Sequence, residues 1–400
     1  MRTKFTINEI LFETYIIFAI LGGVFRNMFG IWKPVYDTYT FVSQGRLGTF
    51  LLIVSTILIL FLILRCSIRY IKKIPSWLRF LMLGLIVYYF IWTLLSLRNN
   101  SIASVFFEAI STSTILLPMA FMLGFDDRIW NILVKKLPYI NALLSTMFFI
   151  AVVSYLAQYG INWPMNASYK GIYSFWITST YIMTFMLYDE KRKFVCLNLM
   201  LIIIASFIIQ SRAWLLQSLL LLFIFFIIVG KGNRYIKFLM GVLLIFITIL
   251  GISCIFPEVT GNLFGRGLED TRSGQYAVFF AQHSWSDLIG GLGLNATYRY
   301  LGNNYYPYFD NQFMFIMFHY GVLPVISWLS VYFSVFKRKR DCDKQSRKII
   351  KAAKFVGGFI LLAYLGLSTY YQIELGYNGV IVMILIGNAL KRIYKKRVVY

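Results

Sequence analysis

The sequence predicts an all-α polytopic integral membrane protein, with about 12 transmembrane helices and one long outer-side loop, and three observations predict it. Of 400 residues, 59% are hydrophobic and 18% aromatic against 14% charged, a balance foreign to a soluble domain built around one core. Apolar runs of about 20 residues, the length that crosses a bilayer, recur along the chain. Every second connection between those runs is basic, the pattern by which membrane proteins fix their orientation.

In chain order the spans cover roughly 10–31, 47–64, 80–97, 103–124, 138–158, 171–188, 194–210, 213–230, 236–256, 310–336, 355–370 and 377–390. The first has Arg26 inside it and the last is short. Met1-Arg2-Thr3-Lys4 precedes an apolar stretch, but Glu9 and Glu13 interrupt that stretch, so a retained anchor is expected rather than a cleaved signal. Basic groups follow the even-numbered spans: Arg65, Arg69, Lys72, Lys73 and Arg79, then Arg128, Lys135 and Lys136, then Lys191, Arg192 and Lys193, then Lys231, Arg234 and Lys237, then the 337–354 cluster. The alternation holds throughout, so both termini are expected in the cytoplasm. The chain reads as a single membrane domain, 1–400, with residues 257–309 forming a long extracytoplasmic loop expected to fold as short helices over the membrane face. Loops of that length are functional or disordered.

Lys and Arg number 39 against 16 Asp and Glu, for a net charge of +23. Such an excess raises the question of nucleic acid. Here the charge sits in short clusters between spans, as in Lys337-Arg338-Lys339-Arg340 and Lys391-Arg392, which reads as orienting charge and implies no nucleic acid partner. Four cysteines, Cys66, Cys196, Cys254 and Cys342, offer neither a plausible pair nor metal-ligand spacing, so no metal and no cofactor are expected.

All but nine of the 39 basic residues fall on the inner side. The nine are Arg26, Lys33, Arg46, Arg98, Lys170, Arg212, Arg266, Arg272 and Arg299. Arginines kept on the disfavoured face point to an anionic ligand there. Arg212 lies in Gln210-Ser211-Arg212-Ala213-Trp214, a tight turn between two apolar spans; it either snorkels to headgroups or meets a ligand. The segment Gly265–Gly274 holds Arg266, Arg272, Glu269, Asp270 and three glycines. Arginine offers a donor fork that matches phosphate oxygens in pairs, and glycine lets backbone N–H groups approach an anion. The alternative is a solvated loop whose charges pair with one another.

Gly290-Gly291-Leu292-Gly293 lacks the third glycine and the strand–helix setting of a nucleotide loop, so a turn is expected. Tyr305-Tyr306-Pro307-Tyr308-Phe309-Asp310-Asn311-Gln312 opens the tenth span. It reads as an aromatic belt with a helix cap, and equally as a sugar-stacking platform with Asp310 as proton acceptor. Glu108, near the outer end of the fourth span, is an intramembrane carboxylate expected to pair with an outer arginine. His283 and His319 complete the titratable set in and after the loop.

Taken in order, Ser211-Arg212 heading an apolar span, Arg272 early in a long loop, and Gly291-x-Gly293 followed by Asp310-Asn311 before a span reaching Gly321 resemble the bacterial O-antigen polymerase/ligase superfamily (Wzy/WaaL type). The resemblance covers roughly residues 205–325, with the many-span layout extending it over the chain. It implies a GT-C-like, metal-independent glycosyltransferase in the bacterial plasma membrane, with an undecaprenyl-pyrophosphate-linked oligosaccharide as donor. It also implies membrane lipid, a flippase and a chain-length regulator as partners. Carried over singly, Arg212 and Arg272 match the pyrophosphate-holding arginines, with Arg266 and Arg299 as further candidates. Asp310 stands where ligases commonly place a histidine, which favours a polysaccharide repeat-unit polymerase over a ligase and makes Asp310 the expected base. The other class is a lipid-linked oligosaccharide flippase, which usually has pseudo-symmetric halves; no half-to-half repeat is visible.

Overall fold

The computed structural model describes residues 6–32, 46–108, 110–159, 167–208, 212–229, 233–255, 257, 261, 271–337, 343–367 and 376–394. They are almost wholly helical. The helices are α1 (Ile7–Trp32), α2 (Arg46–Tyr70), α3 (Ser76–Leu97), α4 (Ile102–Phe107), α5 (Asp127–Tyr159), α6 (Ala167–Leu187), α7 (Arg192–Ile208), α8 (Arg212–Val229) and α9 (Arg234–Ile255), then α10 (Thr271–Phe280), α11 (Trp285–Gly290), α12 (Gln312–Tyr320), α13 (Val322–Phe333), α14 (Lys344–Leu362) and α15 (Tyr377–Tyr394). The residues gather into two compact units: Met1–Phe25, Gly45–Lys136 and Asp270–Tyr400 form the first, Arg26–Gln44 and Leu137–Glu269 the second.

Among the described residues, four stretches are long and apolar enough to cross a membrane: Leu47–Lys73, Ser76–Leu97, Ile102–Phe125 and Asp127–Ser154. Their outward faces are apolar as well. In α3, Leu78, Met82 and Leu85 are buried while Phe80, Val87, Phe90 and Leu94 are exposed. A helix apolar on both faces with one of them uncovered suits lipid, because water would penalise such a patch.

Three segments differ in form from the sequence reading. The fourth span is not one α-helix: it is α4 followed by a 3-10 helix over Thr112–Phe125, fully buried and containing Pro118. Proline lacks the N–H an α-helix needs and crowds the preceding turn, and at about 2.0 Å per residue the tighter coil still covers about 28 Å. The tenth span is divided at Gly321 into α12 and α13. The 257–309 loop holds the expected short helices, α10 and α11, but also an antiparallel hairpin, so the fold is all-α with one exception. Its strands are β1 (Tyr298–Tyr300) and β2 (Asn303–Tyr306), with Tyr298 opposite Tyr306 and Tyr300 opposite Asn303. The turn residues Leu301 and Gly302 both have positive φ, 49° and 77°, as a tight two-residue hairpin turn requires.

The centre of the first unit is α15, buried on every side from Tyr377 to Leu390. It packs on the Thr112–Phe125 coil, and glycines allow the approach. A Cβ on Gly387 would overlap the Phe121 carbonyl, and one on Gly124 would meet the Asn388 backbone nitrogen at 2.5 Å. Asn388 Nδ2 donates to Gly124 O at 3.0 Å. Small residues let helical backbones approach closely, and in lipid such packing replaces the hydrophobic drive.

The second unit is held by buried polar side chains. Asn141 on α5 donates to Asn198 Oδ1 on α7 at 2.5 Å, and its own Oδ1 accepts from Ser179 at 2.6 Å and Thr180 at 3.1 Å on α6. Trp176 Nε1 donates to the same Asn198 oxygen at 3.1 Å, and Tyr181 donates to Gln217 on α8 at 2.8 Å. Interhelical hydrogen bonds of this kind fix the register of helices whose apolar surfaces gain nothing by leaving lipid.

Candidate functional site

The segment from α10 to Gly321 folds as one module inside the first unit, and the glycine turn is its hinge-pin. The end of an α-helix leaves carbonyls without partners. At the end of α12 they are met by the turn: Leu292 N donates to Phe318 O at 2.8 Å and Gly293 N to His319 O at 3.1 Å. The approach is so close that a Cβ on Gly291 would lie 2.5 Å from Gly321 N. Gly291 and Gly321 both adopt positive φ, 80° and 83°, open to glycine at little cost. From α3, Tyr88 Oη donates to Tyr320 O at 2.6 Å and approaches Gly290 O at 3.2 Å. Gly291-x-Gly293 is therefore a docking turn for a helix end.

His319, fully buried, fastens the same corner. Its Nδ1 lies 2.9 Å from Gly293 O and its Nε2 2.9 Å from Pro307 O. One ring thus bridges the glycine turn and the segment leading into Asp310, a structural position rather than a solvent-facing one.

Asp310 is half-buried at the mouth of α12. The helix cap is Asn311, whose side chain accepts from Phe313 N at 2.9 Å and Met314 N at 3.2 Å; the capping role belongs to Asn311 and not to Asp310. The Asp310 backbone N–H donates instead to Gln275 Oε1 at 3.3 Å. Gln275 is buried, and its Nε2 donates to Tyr298 Oη at 2.8 Å and Tyr308 O at 3.2 Å. Residue 272 lies one turn before Gln275 on α10, a spacing that places two positions on one helix face. Gln275 therefore couples the Arg272 helix to the segment of Asp310, and a carboxylate there can accept a proton from a hydroxyl within hydrogen-bond reach. Sequence reasoning missed Gln275, since a single glutamine in a polar loop carries no signal.

The tyrosines divide between two roles. Tyr298 and Tyr306 are buried with Phe279, Phe309 and Phe318, and the Tyr298 and Phe309 rings stack at 4.9 Å. Burial pushes the Tyr298 hydroxyl well above its ordinary range, which keeps it a neutral donor to Tyr308 O at 2.7 Å. These rings form the module's core and the half-buried Tyr308 ring stacks on Phe315, which leaves Tyr305, 77% exposed, as the most open stacking surface among the tyrosines of the Asp310 motif.

The other candidates are distributed as follows. Arg212 is the exposed first residue of α8 and belongs to the second unit, whereas Arg272, Arg299 and Asp310 belong to the first. Arg272 is placed by its backbone in the first turn of α10; its side chain, and the whole of Arg266 with Gln210 and Ser211, lie outside the described residues. Arg299 is exposed on β1, where its N–H donates to Gln282 Oε1 at 2.9 Å and its carbonyl accepts from Gln282 Nε2 at 3.1 Å. Glu108 follows α4 and accepts from Ser104 at 2.8 Å. Asp287 is committed to a capping box: Ser284 N donates to its Oδ2 at 2.9 Å, and His283 Nδ1 lies 3.6 Å away. Among the described residues no group of three His, Cys, Asp or Glu is placed to hold a metal ion. No protein-family model, no curated protein and no solved structure matches the chain.

Proposed function

We propose that this protein is a polysaccharide repeat-unit polymerase of the bacterial plasma membrane, with about twelve spans, both termini in the cytoplasm and the 257–309 loop outside. It joins undecaprenyl-pyrophosphate-linked oligosaccharides for a capsule, exopolysaccharide or O-antigen. In this reading Arg212 and Arg272 are the pyrophosphate ligands, Arg266 and Arg299 are lesser candidates, and Asp310 takes the proton from the attacking sugar hydroxyl. Breaking the sugar–phosphate bond builds negative charge on the leaving group, which fixed guanidinium groups stabilise.

The observation that carries this reading is the Gln275 link: the segment of Asp310 is fastened to the helix that carries Arg272, although 35 residues separate the two joined positions. An acid–base group and an anion-binding group on one folded module are what glycosyl transfer from a lipid pyrophosphate needs.

The test uses purified protein in liposomes with lipid-linked repeat units isolated from the source cells. A ladder of lengthened glycan should form, with undecaprenyl pyrophosphate released. Arg212→Lys and Arg272→Lys keep the charge but lose the fork, and should abolish most of the ladder at normal protein levels. Translocation of single units with no lengthening would identify a flippase instead. In intact cells a membrane-impermeant thiol reagent should label Tyr305→Cys; labelling only after lysis would overturn the orientation.

A further inference from the structure

The first unit has a second cationic site, away from the 271–321 module. A cavity of about 330 Å³ is lined by Arg69, Tyr70, Lys73, Asp126, Arg128 and Lys391, with Phe125 and Asp127 beside them. These residues come from the end of α2 and the turn after it, the start of α5 and the end of α15, so the fold rather than one loop's composition brings them together. Orienting charge needs only to be on the correct side of the membrane; it has no need to converge on a cavity.

The two carboxylates do not neutralise the group. Asp127 is engaged by Lys391, at 2.5 Å. Asp126 is buried, and its oxygens accept from Asn8 Nδ2 and Arg128 N, each at 3.0 Å. Arg69 and Lys73 both stand over the single ring of Tyr70, 5.3 and 4.9 Å from its centroid. Among the described residues neither of them, nor the Arg128 side chain, has a carboxylate within ion-pair distance, and Glu9 acts on Arg128 only from farther away. Like charges gathered on one ring repel unless an anion lies between them, and a polar cavity of this volume holds about ten waters or one phosphate group with its attached atoms.

We propose that this cavity binds a phosphate group, carried either by an anionic lipid headgroup or by a soluble phosphate. Arginine forks meet phosphate oxygens in pairs, and basic pockets between membrane helices are suited to lipid headgroups. The site is independent of the polymerase reading and survives its failure.

The experiment uses delipidated full-length protein, with phosphatidylglycerol, phosphatidylcholine and inorganic phosphate as separate probes and chloride as the ionic-strength control. Retention is read by native mass spectrometry and stabilisation by the melting temperature. Phosphatidylglycerol should be retained and should raise the melting temperature where phosphatidylcholine does not. Stabilisation by inorganic phosphate without lipid retention would assign the soluble source. Arg69→Gln/Lys73→Gln, which removes two cationic side chains, should weaken binding at least about tenfold, the factor that one charge-assisted contact alone is worth, while Lys348→Gln/Lys351→Gln, which removes two charges from α14, should not. Should the first pair fail to accumulate, Arg128→Gln leaves Arg69 and Lys73 on the Tyr70 ring and decides by the same measure. Equal binding by the cavity variants and the parent, an equal loss in the α14 pair, or no preference for either phosphate probe would overturn the proposal.

Discussion

Gln275 Oε1 accepts the backbone N–H of Asp310 at 3.3 Å, while Gln275 Nε2 holds Tyr298 and the Tyr308 carbonyl. One buried amide thus uses both its ends to join α10, the hairpin and the mouth of α12. Gln275→Leu keeps the volume and removes all three bonds. Each buried bond is worth about 1 kcal/mol, and more where a partner is left unsatisfied. We expect protein levels to fall modestly and, under the proposed function, polymer per unit of membrane protein to fall much further. Equal losses in the two would make Gln275 structural only.

The Gly291–Gly321 contact should tolerate no side chain. Gly321→Ala forces a residue into a left-handed conformation, costing about 1–3 kcal/mol, and drives its Cβ to 2.5 Å from Tyr88 Oη. A lowered melting temperature is expected. Tyr88→Phe combined with Gly321→Ala should not recover the loss, because the Ile289 and Gly290 carbonyls remain at 2.6 and 2.8 Å from the added Cβ and the bond from Tyr88 to Tyr320 O is gone.

Gly387→Ala should be severe. The added methyl meets the Phe121 carbonyl, and backbone cannot move aside as a side-chain tip can, so overpacking of about 3 kcal/mol is expected. Loss of detergent-soluble monomer on size-exclusion chromatography is the readout. Gly84→Ala on α3, where nothing lies within 4 Å of the added Cβ, should behave as the parent.

Asn141→Leu removes the bonds to Asn198, Ser179 and Thr180 in the second unit. The Asn198 oxygen keeps Trp176 as a donor, so the cost should stay near 1–3 kcal/mol. Asn141→Asp tests the same site with a charge, and should be worse because a buried carboxylate oxygen would face the Asn198 oxygen that Asn141 now donates to, at the cost of an uncompensated charge.

Asp287 gives a pH signature. The Ser284 backbone N–H, and secondarily the Ser284 hydroxyl and His283, hold its carboxyl below the ordinary value of 3.8. A depressed folded pKa means that the stabilisation is complete above 3.8 and is lost as pH falls through the folded value. Parent protein should therefore exceed Asp287→Asn in melting temperature at neutral pH, and the gap should close under strongly acid conditions. A gap that widens on acidification would contradict the capping box.

The membrane-protein class and the placing of most helices follow from hydrophobic length alone, because bilayer thickness sets the apolar run that a helix must present and lipid forces backbone groups to pair within the segment. That is why α2, α3 and α5 lie where long apolar runs do. The positions of Arg212 at the start of a helix and of Asp310 at the mouth of one were equally legible, whereas the strand that carries Arg299 was not. Tertiary structure decided the rest. The hairpin was hidden because its turn is Leu301-Gly302, and leucine with positive φ carries no turn signal. The seat of the Thr112–Phe125 coil against α15, joined by the Asn388–Gly124 bond across 264 positions of the chain, is a tertiary fact of the same kind. The roles of Gly291, Gln275 and His319 depend on which distant carbonyl each one meets. Hydrophobic length is a local property that a single segment can express; a hydrogen bond between residues far apart exists only once the chain has folded.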